Sequence, residues 1–335
     1  MGSVYILAIE SSCDETSASV LVDGKILSNV IYTQQVHEQY GGVVPESASR
    51  LHLKHIVPVV EQALLQSGIS KSLLNAIAYT QSPGLIGSLM VGVSFAKSMA
   101  QALGIPTIAV HHMQAHVLSN LIEEPIPTFP FLCLTVSGGH TQIVKCSSPL
   151  DMQVIGQTID DAAGEAFDKA AKMMKLPYPG GPLIDRYAQE GNPLAFKFAE
   201  PQMQELNYSF SGLKTSILYF LQASMKQDEF FIDKNLKDLC ASIQHTIIKI
   251  LMKKLVKASK ETGIKHICIA GGVSANKGLR TAIKQHAEKY HWTYSIPKFE
   301  YCTDNAAMIA ITAYYKYLQE DFADLSTVAS ARSSF

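Results

Sequence analysis

The sequence predicts an α/β fold made of two tandem βββαβαβα halves, and three observations carry that reading. Short apolar runs alternate with longer amphipathic stretches, the pattern of a sheet whose strands are joined through helices. The order of these runs over residues 4–121 recurs over residues 131–318. Between them lies Glu123-Glu124-Pro125-Ile126-Pro127-Thr128-Phe129-Pro130, a proline-rich break in either period.

In the first half, residues 4–10, 17–22 and 25–32 read as strands, the last two joined by an Asp23-Gly24 hairpin turn. A helix over 49–66 is closed by Gly68, and a strand over 76–80 follows. Then come a helix over 87–103 closed by Gly104, a strand over 107–110 and a helix over 112–121. The second half repeats this with strands over 131–136, 141–146 and 152–157 and a helix over 160–175. After an insertion at 176–235 come a helix over 236–262, a strand over 266–270, a helix from 276, a strand over 292–296 and a helix over 304–318. Lobes are expected at 1–128, joined by the last helix from 306, and at 129–305. The insertion holds Tyr178-Pro179-Gly180-Gly181-Pro182 and Asn207-Tyr208-Ser209-Phe210-Ser211-Gly212-Leu213-Lys214-Thr215, turn-rich sequences that suit a surface loop. Two such halves facing each other are the layout of the superfamily of actin, hexokinase and the heat-shock chaperone ATPases, a duplicated RNase H-like fold with its ligand in a central cleft.

At 335 residues the chain is long for a single core, and 47% hydrophobic against 17% charged residues gives it a substantial interior. A net charge of −1 gives no global electrostatic case for nucleic acid, and the run Lys249, Lys253, Lys254, Lys257, Lys260, Lys265 reads as a solvated helix face. The start lacks a basic segment and small-residue cleavage site, no uninterrupted apolar window is long enough to span a bilayer, and the six cysteines stand singly. A cytoplasmic protein with reduced thiols is the expectation.

The chemistry-bearing residues cluster where this layout places ligands. In Val110-His111-His112-Met113-Gln114-Ala115-His116, His112 and His116 are four apart on a helix, with Cβ atoms roughly 5–6 Å apart. With Asp304, in Cys302-Thr303-Asp304-Asn305 of the other half, they make a two-histidine, one-carboxylate set suited to iron or zinc, while Asp304 as a plain helix cap stays open. A glutamate after His112 would suggest a zinc protease; position 113 is Met. The turn Ser137-Gly138-Gly139-His140 can offer backbone N–H groups to phosphate, and Ala270-Gly271-Gly272-Val273-Ser274-Ala275-Asn276 opens a helix as nucleotide-binding turns do. The first-half turn Glu10-Ser11-Ser12-Cys13-Asp14-Glu15-Thr16 gathers carboxylates suited to a cation or to proton transfer. Asp168, one turn below Gly164, can reach a sugar hydroxyl or pair with Lys172. Glu46, Arg50 and Pro83-Gly84-Leu85-Ile86-Gly87 stand at helix starts on the same side.

Taken in order, His112 to His116, Ser137-Gly138-Gly139-His140-Thr141, Asp160 to Lys169, Pro179 to Pro182, Phe210 to Thr215, Gly271 to Asn276 and Thr303-Asp304-Asn305 resemble the TsaD family. These are tRNA N6-adenosine threonylcarbamoyltransferases, once described as O-sialoglycoprotein endopeptidases. The resemblance runs from Ile6 to about Ala313. It implies transfer of a threonylcarbamoyl group from threonylcarbamoyl-adenylate to N6 of adenosine 37 in tRNAs reading ANN codons, with release of AMP. It implies a divalent ion on His112, His116 and Asp304, iron first and zinc second, with magnesium accompanying nucleotide. By the family pattern Leu134, Thr135, Val136, Ser137, Gly138 and Gly139 carry the adenylate with Asp168, Gly181, Asp185 and Asn276, and Glu15 or Asp14 serves catalysis. Implied partners are tRNA, a TsaB-like protein resembling a degenerate copy of the first lobe, and the ATPase TsaE. Residues 327–335 lack the arginine- and proline-containing tail expected, and Ser82 stands where glycine is expected. A small-molecule kinase of the same superfamily and a metalloprotease remain the alternatives.

Overall fold

A computed structural model describes residues 2–201, 203–333 and 335. The chain divides into two compact units: Met1–Ile126 with Ser148–Met152 and Pro297–Phe335, and Pro127–Ser147 with Gln153–Ile296.

Unit 1 is built on β1 (Tyr5–Glu10), β2 (Glu15–Val22), β3 (Lys25–Thr33), β4 (Ala76–Ser82) and β5 (Thr107–His111), in the sheet order β3-β2-β1-β4-β5. The first three are antiparallel, turned at Asp23-Gly24 where both residues adopt positive φ; β1, β4 and β5 run parallel. Two helices, α1 (Pro45–Ser67) and α2 (Ile86–Leu103), pack on one face. Ile56, Val59 and Val60 of α1 and Val93, Ala96 and Ala100 of α2 meet Leu7, Ile9, Val20, Ile77 and Tyr79 there. Burying a Leu or Ile side chain is worth about 1.5–3 kcal/mol, so this layer is a substantial part of the unit's stability. By length and hydropathy α2 could span a membrane; in unit 1 it packs one face, Leu89, Val93, Ala96 and Ala100, into the core. Helix α3 (His112–Leu118) follows β5 directly, with a short turn at Ser119–Leu121.

Unit 2 starts with β6 (Phe131–Val136) and β7 (Thr141–Ser148), runs through β8 (Asp151–Gln157), α4 (Ala163–Met173), α5 (Gly180–Ala188), α6 (Ser211–Gln227) and α7 (Phe231–Thr262), and ends with β9 (His266–Ala270), α8 (Lys277–Tyr290) and β10 (Thr293–Ser295). Its sheet order, β10-β9-β6-β7-β8, is that of unit 1 by position along the chain. Leu132, Leu134, Val136, Ile267 and Ile269 pack with Leu239, Ile243, Ile247, Leu251 and Leu255 of α7. The last helix, α9 (Ala306–Leu318), belongs to unit 1, where it lies across β1, β2 and β3 with Ala306 to Ala313 buried.

Several boundaries differ from the sequence reading, each for a local reason. Helix α1 starts four residues before the expected 49, because Pro45 suits a first helical turn, and Pro58 sits on its exposed side. Glu15 lies in β2 rather than in the preceding turn. The insertion is largely helical, and α7 runs through residue 235 with a break at Asn235 (φ −119°), just before the start expected at 236. Asp160 and Asp161 precede α4 and act as anchors: Asp160 accepts from Ser209 Oγ (2.5 Å) and Phe210 N (2.8 Å), while Asp161 pairs with Lys169 and Lys214. The lysine run is not wholly solvated either, since buried Lys254 donates to the carbonyls of Met203 and Glu205, both at 2.7 Å.

The tail after α9 is strapped to unit 1. Ala323 bridges to Thr107, Lys97 Nζ donates to the carbonyls of Leu325 and Thr327, and Ser330 N donates to Gln81 O. Ser333 Oγ and Ser82 Oγ lie 2.9 Å apart, so the serine at the position expected to be glycine has a partner in the tail.

Candidate functional site

The carboxyl ends of the parallel strands of unit 1 converge, as they do at the ligand sites of open α/β sheets. The register Ile9↔Tyr79 places Glu10 beside Thr80, and β4 and β5 pair up to Ser82↔His111, after which α3 begins. His111 caps α3 by accepting from Met113 N through Nδ1. His112 and His116 then project from one helical face, their rings 4.7 Å apart and nearly perpendicular.

Asp304 completes the group. His116 Nε2 lies 3.1 Å and His112 Nε2 3.5 Å from its Oδ1, and the three ligand atoms lie within 4.8 Å of one another. The capping of α9 falls to Asn305, whose Oδ1 accepts from Met308 N, so Asp304 is not spent as the helix cap. All three residues belong to unit 1, which corrects the expectation that Asp304 comes from the other lobe.

Behind His112 stands a carboxylate that the sequence reading did not single out. Glu10 is fully buried; its Oε1 accepts from Ser12 N (2.5 Å), and its Oε2 from Thr80 Oγ1 (2.7 Å) and His112 Nδ1 (3.1 Å). A carboxylate on Nδ1 fixes the tautomer and ring orientation that leave Nε2 free for a cation. Two imidazole nitrogens and a carboxylate oxygen, all converging, fit a first-row divalent ion. His116 Nδ1, by contrast, is buried with no such partner among the described residues.

The electrostatics agree. Burial alone would raise Glu10 and Asp304, but the facing histidines hold both carboxyls below their usual values. Burial would lower His112, yet Asp304 and Glu10 push it well above the ordinary histidine range. A divalent ion held by this group would displace that proton. Glu15, half-buried at the start of β2, is raised by burial and by the neighbouring Asp304 and Asp14. The Cys13 thiol of the same turn is pushed far up by burial, which argues against a nucleophilic role.

In unit 2, Ser137 N donates to His140 O and His140 N to Ser137 Oγ, closing the turn after β6. Gly138 and Gly139 are exposed, and a Cβ at either would meet only open space, so their N–H groups are reachable by an anion. Two further glycines bring the backbone this close. A Cβ on Gly164 at the head of α4 would stand 2.5 Å from Ser137 O, and one on Gly271, at φ +84°, 2.4 Å from Val136 O.

Asp168 accepts from Gly180 N (2.9 Å) and Gly181 N (3.0 Å) through one oxygen, which sets the head of α5, and it is not paired with Lys172. Its carboxyl is raised by burial. Asp185 accepts from Lys277 N (3.0 Å) at the start of α8. Asn276 caps that helix through Leu279 N and donates to Gln244 Oε1 at 2.6 Å, a partner the sequence reading missed. Leu134, Thr135 and Val136 are buried in β6, so their side chains are interior. Asp168, Gly181, Asp185 and Asn276 thus form one connected group in unit 2, through α5 and the head of α8. Glu46 and Arg50 form an exposed ion pair with each other at 2.7 Å, which is worth little.

Comparison with known proteins gives a consistent answer. Residues 25–311 match the TsaD family, tRNA N6-adenosine threonylcarbamoyltransferase. A protein of that name from Christiangramia forsetii is 62% identical, over 99% of this chain and 98% of its own length. Among solved structures, T. kodakarensis HypF aligns with a TM-score of 0.63 at 13% identity, covering 95% of this chain and 48% of that one. Component A of the Acidaminococcus fermentans (R)-2-hydroxyglutaryl-CoA dehydratase aligns at 0.55 and 14% identity, covering 94% and 99%. At such identities these two show the fold alone, an α/β architecture shared over nearly the whole of this chain.

Proposed function

Because the chain belongs to the TsaD family of tRNA N6-adenosine threonylcarbamoyltransferases, we propose that it transfers the threonylcarbamoyl group of threonylcarbamoyl-adenylate to N6 of adenosine 37 in tRNAs reading ANN codons. The observation that carries the site assignment is the buried His112, His116 and Asp304 cluster with Glu10 behind it. A kinase of the same superfamily works with hydrated magnesium on carboxylates, and a zinc protease needs the glutamate that position 113 lacks.

The donor is a mixed carbamic-phosphoric anhydride, already activated, so the protein's tasks are to hold it and to accommodate moving charge. The N–H groups of Gly138 and Gly139 hold the phosphate, and the group of Asp168, Gly181, Asp185 and Asn276 holds the nucleoside end. The amine N6 attacks the carbamoyl carbon, the bond from that carbon to the phosphate oxygen breaks, and AMP leaves. Glu15, or Asp14 beside it, takes the amine proton. His112, His116 and Asp304 would hold a divalent ion, iron or zinc, which would supply Lewis-acid polarisation there. Glu10 keeps His112 turned for that purpose.

The family resemblance adds a TsaB-like partner and the ATPase TsaE, acting in the cytoplasm. A docking face for the former is supported by exposed Leu53 and Val57 on α1 and Ile86 and Met90 on α2, two helices that pack together. The test is to incubate the protein and these partners with threonylcarbamoyl-adenylate and unmodified tRNA, then analyse the nucleosides. Threonylcarbamoyladenosine is expected at position 37. Unmodified tRNA, with phosphate passed from ATP to a small metabolite instead, would point to the kinase.

A further inference from the structure

The junction of the turn at Asp14 with the start of β2 at Glu15 is tied to α1 by two buried residues, neither of which has a part in the chemistry described so far. His52, on the inner face of α1, is completely buried, and both ring nitrogens are engaged. Its Nε2 lies 2.9 Å from Cys13 O and its Nδ1 2.7 Å from Thr16 Oγ1. A carbonyl only accepts, so Nε2 carries the hydrogen, and in the neutral ring Nδ1 accepts from the Thr16 hydroxyl. The ring therefore grips the residue just before Asp14 and the residue just after Glu15. Gln34, also buried, makes the second tie: its N–H donates to Asp14 O (3.1 Å) and its Nε2 to Ala48 O of α1 (3.3 Å). Backbone or side-chain bonds thus reach Cys13, Asp14 and Thr16, all from α1 or from a residue bonded to it.

We propose that His52 is a positioning residue for the transfer reaction, fixing the segment from Asp14 into the start of β2 at Glu15 against α1 so that the carboxylate that receives the amine proton stands at a set place. This rests on the reading that Glu15 or Asp14 takes that proton. Burial holds His52 below the ordinary histidine range, which keeps the ring in the neutral form that makes both bonds. Substrates do not touch His52 in this scheme, so its loss acts on the chemical step and leaves donor binding and metal loading in place.

The test uses the full chain with its partners and compares His52→Ala, His52→Gln and His52→Asn. A glutamine amide nitrogen can occupy the place of Nε2 and keep the bond to Cys13 O; an asparagine is too short to do so. At saturating threonylcarbamoyl-adenylate, single-turnover transfer falls about 10- to 100-fold in His52→Ala and His52→Asn. His52→Gln recovers most of the rate. KM for the adenylate and bound metal, counted by mass spectrometry, stay within about twofold of the parent in all three. Thr16→Val, which keeps the shape and removes the hydroxyl, lowers the rate in the same direction. A His52→Ala protein with parental rate overturns the proposal, as does one that loses rate, adenylate affinity and metal together. Glu15→Gln and Asp14→Asn separate this from the underlying reading: parental rates in both sink the proton-acceptor role itself. When the acidic variant is impaired, adding His52→Ala to it costs much less than adding it to the parent.

Discussion

Glu10 shows how much of a candidate metal site lies outside its ligands. Its two oxygens accept from Ser12, Thr80 and His112, and an amide at this position must turn an NH2 group toward at least one donor. Glu10→Gln is therefore expected to weaken divalent-ion binding about 10- to 100-fold, read by competition with a chelator. Little of this was legible beforehand. His112, His116 and Asp304 announce themselves by type and spacing, whereas Glu10 reads as the polar end of an apolar strand until the register sets it beside Thr80. The one available signal was that Glu10 is the only charged residue in β1. Asp168 offers a second residue-scale test. Burial raises its carboxyl, so the folded chain holds the proton more tightly than the unfolded chain, and stability is lost as pH rises from about 4. Asp168→Asn keeps an oxygen for the N–H groups of Gly180 and Gly181 and escapes that cost. Its melting temperature relative to the parent should climb from pH 4 to pH 7, and a difference flat in pH would show that burial does not govern this group.

Among the elements, the two turns after β6 and β9 depend on glycine for different reasons. Gly138 and Gly139 have open space around them, so alanine there folds normally and is expected to weaken adenylate binding by narrowing the approach to the N–H groups. Gly271 is at φ +84° and ψ +164°, a region essentially reserved for glycine, with Val136 O in the way, so Gly271→Ala carries a backbone strain of about 1–3 kcal/mol as well as a collision. Chemical denaturation should show a loss of at least that size for Gly271→Ala and almost none for Gly138→Ala. The regular elements were readable because hydrophobic period and Gly68, Gly104 and Asp23-Gly24 punctuate them plainly. The insertion was not, because Pro177, Pro179, Gly180 and Gly181 look like loop residues although two of them open α5. Its helices are held by partners distant in sequence: Asp160 and Asp161 on the Ser209 to Lys214 stretch, and Lys254 on the carbonyls of 203 and 205.

For the whole molecule, the repeated strand order explains why the fold class was evident from one sequence, while the assignment of chain segments to units was not. The final segment from Pro297 carries α9, whose apolar alanine and isoleucine pattern says that it is buried but not under which sheet. The single tryptophan, Trp292, lies in unit 2, nearly buried and stacked beside His286 and Tyr290. Its fluorescence reports that unit, whereas the His112, His116 and Asp304 cluster, the candidate ion site, lies wholly in unit 1. A ligand bound at 100 times its Kd adds about 2.7 kcal/mol to what it binds. Adding a chelator should lower the calorimetric transition of unit 1 and leave the tryptophan midpoint unmoved; a common shift would show that the units unfold as one.

The placement of Asp304, 188 positions after His116, has a consequence for how the protein is made. Domains usually fold as they leave the ribosome. Unit 2 is complete once Ile296 has emerged, although most of unit 1 was translated before it. The earlier-made sheet waits with one face bare until α9 arrives, and its two histidines wait with it. Any ion held by the three residues would be captured only after residue 304 has emerged, and a nascent chain stalled short of it would carry a complete unit 2 but lack the carboxylate of the cluster.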